Sequence, residues 1–170
     1  VEDTLKTNEK FVLFYGQSEC YSNWNKAGFW VKEIYFHNGE QYMMYCKAMF
    51  FGDADVAVLI LAEPDPAKVK ALGRKVKGYV DELWAANRLR FVRRGLLEKA
   101  RQHPGIKVQL LATGDKILVE ASPSDIIWGI GLRETDPLAL DPQHWRGQNL
   151  LGEAWMWVRE HLRKEEALPA

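Results

Sequence analysis

The sequence predicts an α+β fold, a predominantly helical single domain with a few short strands. Three observations carry that expectation. Apolar residues recur at helical spacings through residues 40–51, 79–102 and 149–164. Aromatic and aliphatic runs at 11–15, 28–36 and 117–120 read as strands, and they mostly do not alternate with helices as βαβ units. No repeat, low-complexity tract or linker divides the chain, so one domain is expected over 1–170, with a core about 11–163 and short frayed ends.

Phe11 to Tyr15 is the first expected strand. Gly28 to Phe36 is the second, ending at His37-Asn38-Gly39, where Asn-Gly signals a tight turn. A helix starts at Glu40, carries Met43, Met44, Lys47, Phe50 and Phe51 at spacings of three and four, and ends at Gly52. Asp53 caps a short apolar helix that Glu63-Pro64 stops. Asp65-Pro66 starts another, a cap followed by proline at the first helical position. Gly73 and Gly78 interrupt, and Tyr79 to Gln102 is helical again until Pro104-Gly105 closes it. Leu110 to Asp115 reads as a helix end and turn, and Ile117 to Glu120 as a strand. Residues 122–146, rich in Pro, Gly and Asp, have the composition of a functional loop. The last helix runs from about Asn149 to Lys164, with Leu151, Trp155, Val158 and Leu162 forming one apolar stripe.

Composition removes several classes. Hydrophobic residues make up 47% and charged residues 27%, which excludes a disordered tail. Lys+Arg and Asp+Glu both number 23, a balance that disfavours a protein living on non-specific phosphate contacts. The two cysteines, Cys20 and Cys46, make neither a disulfide scaffold nor a Cys-x-x-Cys site, and are expected as reduced thiols. The four histidines lack ligand spacing, so no metal is expected. Without Gly-x-Ser-x-Gly, a serine hydrolase has no signature. The longest apolar run, Val56 to Ala62, is too short for a bilayer, and Val1-Glu2-Asp3 lacks a signal pattern. A soluble cytoplasmic protein with no membrane partner is the expectation.

Four groups of residues could carry chemistry. Glu40 and Lys47 are seven apart, on one helix face two turns from each other, amid apolar neighbours. They line a pocket, or Glu40 is a solvated acid favoured by the helix dipole. Trp84, Asn87, Arg88 and Phe91 share a face, where an indole and a guanidinium hold a base and a phosphate, or where Trp84 and Phe91 are core and Arg88 is rim. Asp125, ahead of Ile126-Ile127-Trp128-Gly129-Ile130-Gly131, is an acid beside apolar groups or a helix cap, and the glycines let backbone approach a ligand. Asn149, after Trp145-Arg146-Gly147-Gln148, caps the last helix or leaves its N–H groups facing an anion.

Taken together, the chain resembles the YbiA-like family, or NADAR superfamily, from about Phe14 to Leu162. The pieces are Tyr21-Ser22-Asn23-Trp24, Glu40-Gln41-Tyr42-Met43 with Lys47, Gly73-Arg74 with Val76, Trp84, and Leu110-Leu111-Ala112-Thr113-Gly114. Leu118-Val119-Glu120-Ala121, the Asp125 to Gly131 stretch, and Gly147-Gln148-Asn149-Leu150-Leu151-Gly152 with Met156 and Val158-Arg159 complete the set. Each is weak alone, and their number and order are specific. Trp24 stands where the family pattern has Phe, and Gly39 where Ser or Thr precedes the Glu, a departure that bears on that helix cap.

The resemblance implies an N-glycosidase, a hydrolase of the bond between a ribose carbon and a nitrogen. Its substrate would be a phosphorylated ribosylamino-pyrimidine intermediate of riboflavin synthesis or an ADP-ribosylated base, including one in nucleic acid. It implies catalytic roles for Glu40, Asp125 and Trp84, and substrate contacts for Asn23, Lys47, Arg88, Trp128 and Asn149. No cofactor is implied. Two acids would then flank the sugar, one of them orienting or deprotonating water, with the assignment between Glu40 and Asp125 open. Trp84 and Trp128 would stack on the heterocycle or wall off the sugar, and Lys47 and Arg88 would take the phosphate. The rival is a non-catalytic ADP-ribose or nucleotide-binding module using the same indoles and cations.

Overall fold

The computed structural model describes residues 6–167. Val1-Glu2-Asp3, on which the expectation about a signal pattern rests, lies outside the described residues. The elements are β1 (Lys6–Thr7), β2 (Phe11–Phe14), β3 (Phe29–Val31), β4 (Ile34–Phe36), α1 (Gly39–Phe50), α2 (Ala54–Ala62), α3 (Pro66–Gly73), α4 (Asp81–Gln102), α5 (Pro104–Ala112), β5 (Ile117–Glu120) and α6 (Leu150–Ala167). Helix outweighs strand, and the fold is α+β as expected. Residues group into two compact units, one made from the chain up to Ser22 and from Pro104 onward, the other from Asn23–His103.

In the first unit, β2 is the middle strand of a sheet ordered β1-β2-β5, antiparallel to β1 and parallel to β5. Phe11 and Leu13 of β2, with Val119, Ala121, Ile130 and Leu132, form one core cluster. Two of these come from the long loop, so that segment is partly core. The α6 stripe is buried at Leu151, Trp155, Val158 and Leu162 as its spacing predicts. Trp155 donates its indole N–H to the Tyr21 carbonyl at 2.7 Å and packs edge-on against that ring. Arg159, also buried, donates to Thr113 Oγ1 at 2.7 Å and to the Lys116 carbonyl at 2.8 Å. Pro104-Gly105 does more than close α4. It opens α5, with proline at a position whose N–H has no helical acceptor.

In the second unit, the single strand expected over 28–36 is a hairpin, with Trp30 opposite Tyr35. Its turn passes through Lys32 at φ 54, a left-handed conformation taken by a lysine, so no Gly or Asn marks it. His37-Asn38-Gly39 is not a hairpin turn. Asn38 caps α1, its Oδ1 accepting from the Gln41 N–H at 2.9 Å and its Nδ2 donating to the Pro64 carbonyl at 3.0 Å. The residue at 39 therefore does not set the cap. A Cβ there would lie 2.5 Å from Asn23 Oδ1, so glycine admits Asn23 to the helix start. Fully buried Gln41 ties α1 to the end of α2 by donating to the Ile60 and Glu63 carbonyls at 3.0 and 2.9 Å. Asp53 and Asp65 cap α2 and α3 as expected. Gly73 packs on Met44 and Gly95 on Tyr42, which lets α3 and α4 close onto α1.

Candidate active site

Glu40 sits in the first turn of α1 and is 4% exposed. Its N–H donates to the Asn23 carbonyl at 3.0 Å. The Trp24 indole Nε1–H donates to Glu40 Oε2 at 3.3 Å, so Trp24 brings a donor to this carboxylate. Two turns on, Lys47 donates to the Gly73 carbonyl at 2.8 Å and lies 4.2 Å over the Tyr79 ring. Burial lowers the Lys47 pKa from its usual value, the charges of Asp81 and Glu40 oppose that shift, and Arg74 adds to it. The Tyr79 hydroxyl donates to Asp81 Oδ1 at 2.6 Å. Glu40 and Lys47 thus share an electrostatic neighbourhood, and buried Glu40 is not the solvated acid of the other reading.

Trp84 is 4% exposed and stacks on Phe91 at 5.8 Å, with Phe50 and Phe51 beside it. One face of its indole is therefore already occupied. Arg88, one turn later, is buried. Its Nε has no hydrogen-bond partner, and among the described residues no carboxylate pairs with its guanidinium. The rim reading of Arg88 does not hold. A buried cation without a counter-charge is costly to the fold, and an anion brought by a ligand removes that cost. Asn23 is buried beside Gly39, and its Oδ1 has no hydrogen-bond partner among the described residues.

In the other unit, Asp125 Oδ1 accepts from the N–H groups of Ile127 at 2.9 Å and Trp128 at 2.8 Å. This is the local geometry of a cap, but no helix follows. Half-buried Trp128 accepts the Leu151 N–H at its carbonyl, at 3.1 Å. The glycines here bring backbone against backbone. The Ile130 carbonyl accepts from the Arg146 and Gly147 N–H groups, both at 2.9 Å, and Gln148 donates to the Ile126 carbonyl at 2.9 Å. A Cβ on Gly147 would lie 2.2 Å from the Gly129 carbonyl oxygen.

Asn149 has φ 55 and is buried. Its Oδ1 accepts from the Glu120 N–H and its Nδ2 donates to the Leu118 carbonyl, both at 2.9 Å. The side chain holds the edge of β5 instead of capping α6. Asn149→Ala removes both bonds and leaves a Cβ residue in a left-handed conformation, so thermal unfolding should show a loss of about 2–4 kcal/mol. A stability loss under 0.5 kcal/mol with a large rise in KM would instead assign the amide to substrate.

The NADAR domain model matches residues 13–163. The chain belongs to the NADAR domain family. Protein irg-1 of Caenorhabditis elegans is 40% identical over 95% of this chain and 82% of its own. An N-glycosidase of Acanthamoeba polyphaga mimivirus is 36% identical over 89% and 96% of the two chains. The solved NMR structure of the Escherichia coli protein YbiA, 25% identical, matches with a TM-score of 0.78 over 96% of this chain and 91% of that one. Among the described residues, no three His, Cys, Asp or Glu side chains gather as metal ligands, and no helix is long and apolar enough to cross a membrane. Tyr79, Asp81 and Arg74 were not read as site residues, since nothing local marks a tyrosine before a helix as the neighbour of Lys47. Trp24 was read only as a departure from the NADAR pattern, with its donor unremarked.

Proposed function

We propose that this NADAR chain hydrolyses the ribose C–N bond of a phosphorylated nucleoside-like substrate. The substrate is a ribosylamino-pyrimidine intermediate of riboflavin synthesis or an ADP-ribosylated base, free or in nucleic acid. Its reaction class is that of the relatives named N-glycosidase. Arg88 carries the substrate reading. A buried guanidinium that no carboxylate pairs with among the described residues suits a phosphate, which accepts its donors in pairs. Lys47 adds a second cation whose neighbourhood includes Glu40.

The chemistry asks for acids. As the C–N bond breaks, its electron pair goes to the leaving nitrogen, which takes a proton, and positive charge spreads over the ribose carbon and ring oxygen. Water then bonds to that carbon and gives up a proton. Carboxylates lower the energy of the cationic state and accept the water proton. Glu40 and Asp125 are assigned these tasks together with Trp84, while Asn23, Lys47, Arg88 and Trp128 contact substrate and Asn149 holds β5.

The test is release of free base, read by mass, from a panel of phosphorylated ribosides and ADP-ribosyl compounds. Binding of ADP-ribose with no base released from any of them would mark a non-catalytic module instead. Arg88→Met should raise KM about 10- to 100-fold for a phosphorylated substrate and far less for its dephosphorylated form. The same variant should unfold no earlier than wild type, because it removes an uncompensated buried charge. Equal KM changes for both substrates would take the phosphate away from Arg88.

A further inference from the structure

Trp24 is half-buried, and its indole N–H meets Glu40 Oε2 at 3.3 Å. An indole N–H only donates. A donor aimed at a carboxyl oxygen stabilises the ionised form over the protonated one. The dipole of α1, whose first turn holds Glu40, acts in the same direction. So does the Lys47 ammonium, which shares charge interaction with Glu40. The other charged groups around Lys47 are Arg74, just past α3, and Asp81 at the start of α4, with Arg88 further along α4 interacting with Tyr79. Asp81, the acid among them, is engaged by the Tyr79 hydroxyl.

We propose that Trp24 is a positioning residue that holds Glu40 as the reactive carboxylate. This rests on the assignment of Glu40 to the N-glycosidase reaction, and it settles which task Glu40 performs. As the anion, Glu40 faces the ribose cation and takes the proton from water when the oxygen–carbon bond forms. The leaving nitrogen takes its proton from solvent water, and Glu40 returns the proton it took to solvent as the turnover ends.

Two measurements test the proposal, and one needs no turnover. In ¹H–¹⁵N spectra, the Trp24 indole resonance is identified by its loss in Trp24→Phe. It should shift as pH passes through the Glu40 titration, and that shift should vanish in Glu40→Gln. In the pH–rate profile, Trp24→Phe should move the acidic limb upward by about half to one pH unit, because the anion loses a donor and protonates at higher pH. Its kcat should fall about 3- to 10-fold with KM within a factor of two, and the substitution should cost almost nothing further in a Glu40→Gln background. An indole resonance indifferent to Glu40→Gln, an unmoved acidic limb, or full additivity with Glu40→Gln overturns the positioning role. A Glu40→Gln protein with wild-type turnover overturns instead the assignment of Glu40, and the indole titration still reports whether Trp24 holds that carboxylate.

Discussion

Glu40→Gln and Asp125→Asn should each fold like the wild type and lose about 10²- to 10⁴-fold in kcat, the range typical of a positioned acid or base. Folding should survive because each amide keeps a carbonyl oxygen of the same shape and reach. The Gln carbonyl can still accept from the Trp24 indole, as Glu40 Oε2 does at 3.3 Å. The Asn carbonyl can still accept from the N–H groups of Ile127 and Trp128, as Asp125 Oδ1 does. The anionic charge is what disappears, together with the capacity to take a proton. The measurement is base release against concentration, alongside thermal midpoints. If the two acids serve one turnover, the double variant should be hardly slower than the worse single one, since groups acting as a unit are non-additive. Near-wild-type kcat in either single variant would remove that acid from the mechanism. A collapsed midpoint in Asp125→Asn would make its two backbone bonds a purely structural device.

What could be read in the sequence was mostly what is local. Asp53, Asp65 and Pro66 sit within one turn of the helices they start, so α2 and α3 could be placed from neighbouring letters. Glu40 and Lys47 share one helix, so spacing alone puts them on one face, and the structure adds their electrostatic interaction. Where a signal had two meanings, the wrong one could be chosen. Asn38-Gly39 suits a hairpin turn and also a cap with the first helical residue, and the second is what occurs. The real hairpin turn was invisible because Lys32 takes the conformation that glycine or asparagine usually announces. Tertiary relations left no trace in the pattern. Trp24 reaches Glu40 from 16 residues away, and nothing in the letters around Arg88 says that no acid meets its guanidinium. The chemistry of the candidate site was thus legible as residue types, while the contacts that tune those residues required the fold.

Gly147, just past the long loop, packs backbone on backbone, and Gly147→Ala makes that packing measurable. In an ordinary loop with space available, Gly→Ala stabilises by about 0.4–1 kcal/mol, because the unfolded chain loses conformational freedom. Position 147 offers no such space. The added Cβ would lie 2.2 Å from the Gly129 carbonyl oxygen and 2.7 Å from the Ile126 Cα, both of them backbone atoms that cannot rotate away. Relief requires the 126–130 and 146–151 segments to part, which loosens the Ile130 carbonyl bonds to Arg146 and Gly147. Gly147→Ala should therefore cost about 3 kcal/mol or more, a fall of about 6–12 °C in Tm for a chain of this size. Gly105→Ala is the opposite case. Nothing lies within 4 Å of its Cβ, and it occupies the first turn of α5, so alanine should leave the midpoint unchanged or raise it. If Gly147→Ala instead keeps its midpoint, backbone packing is not the reason for a glycine at 147.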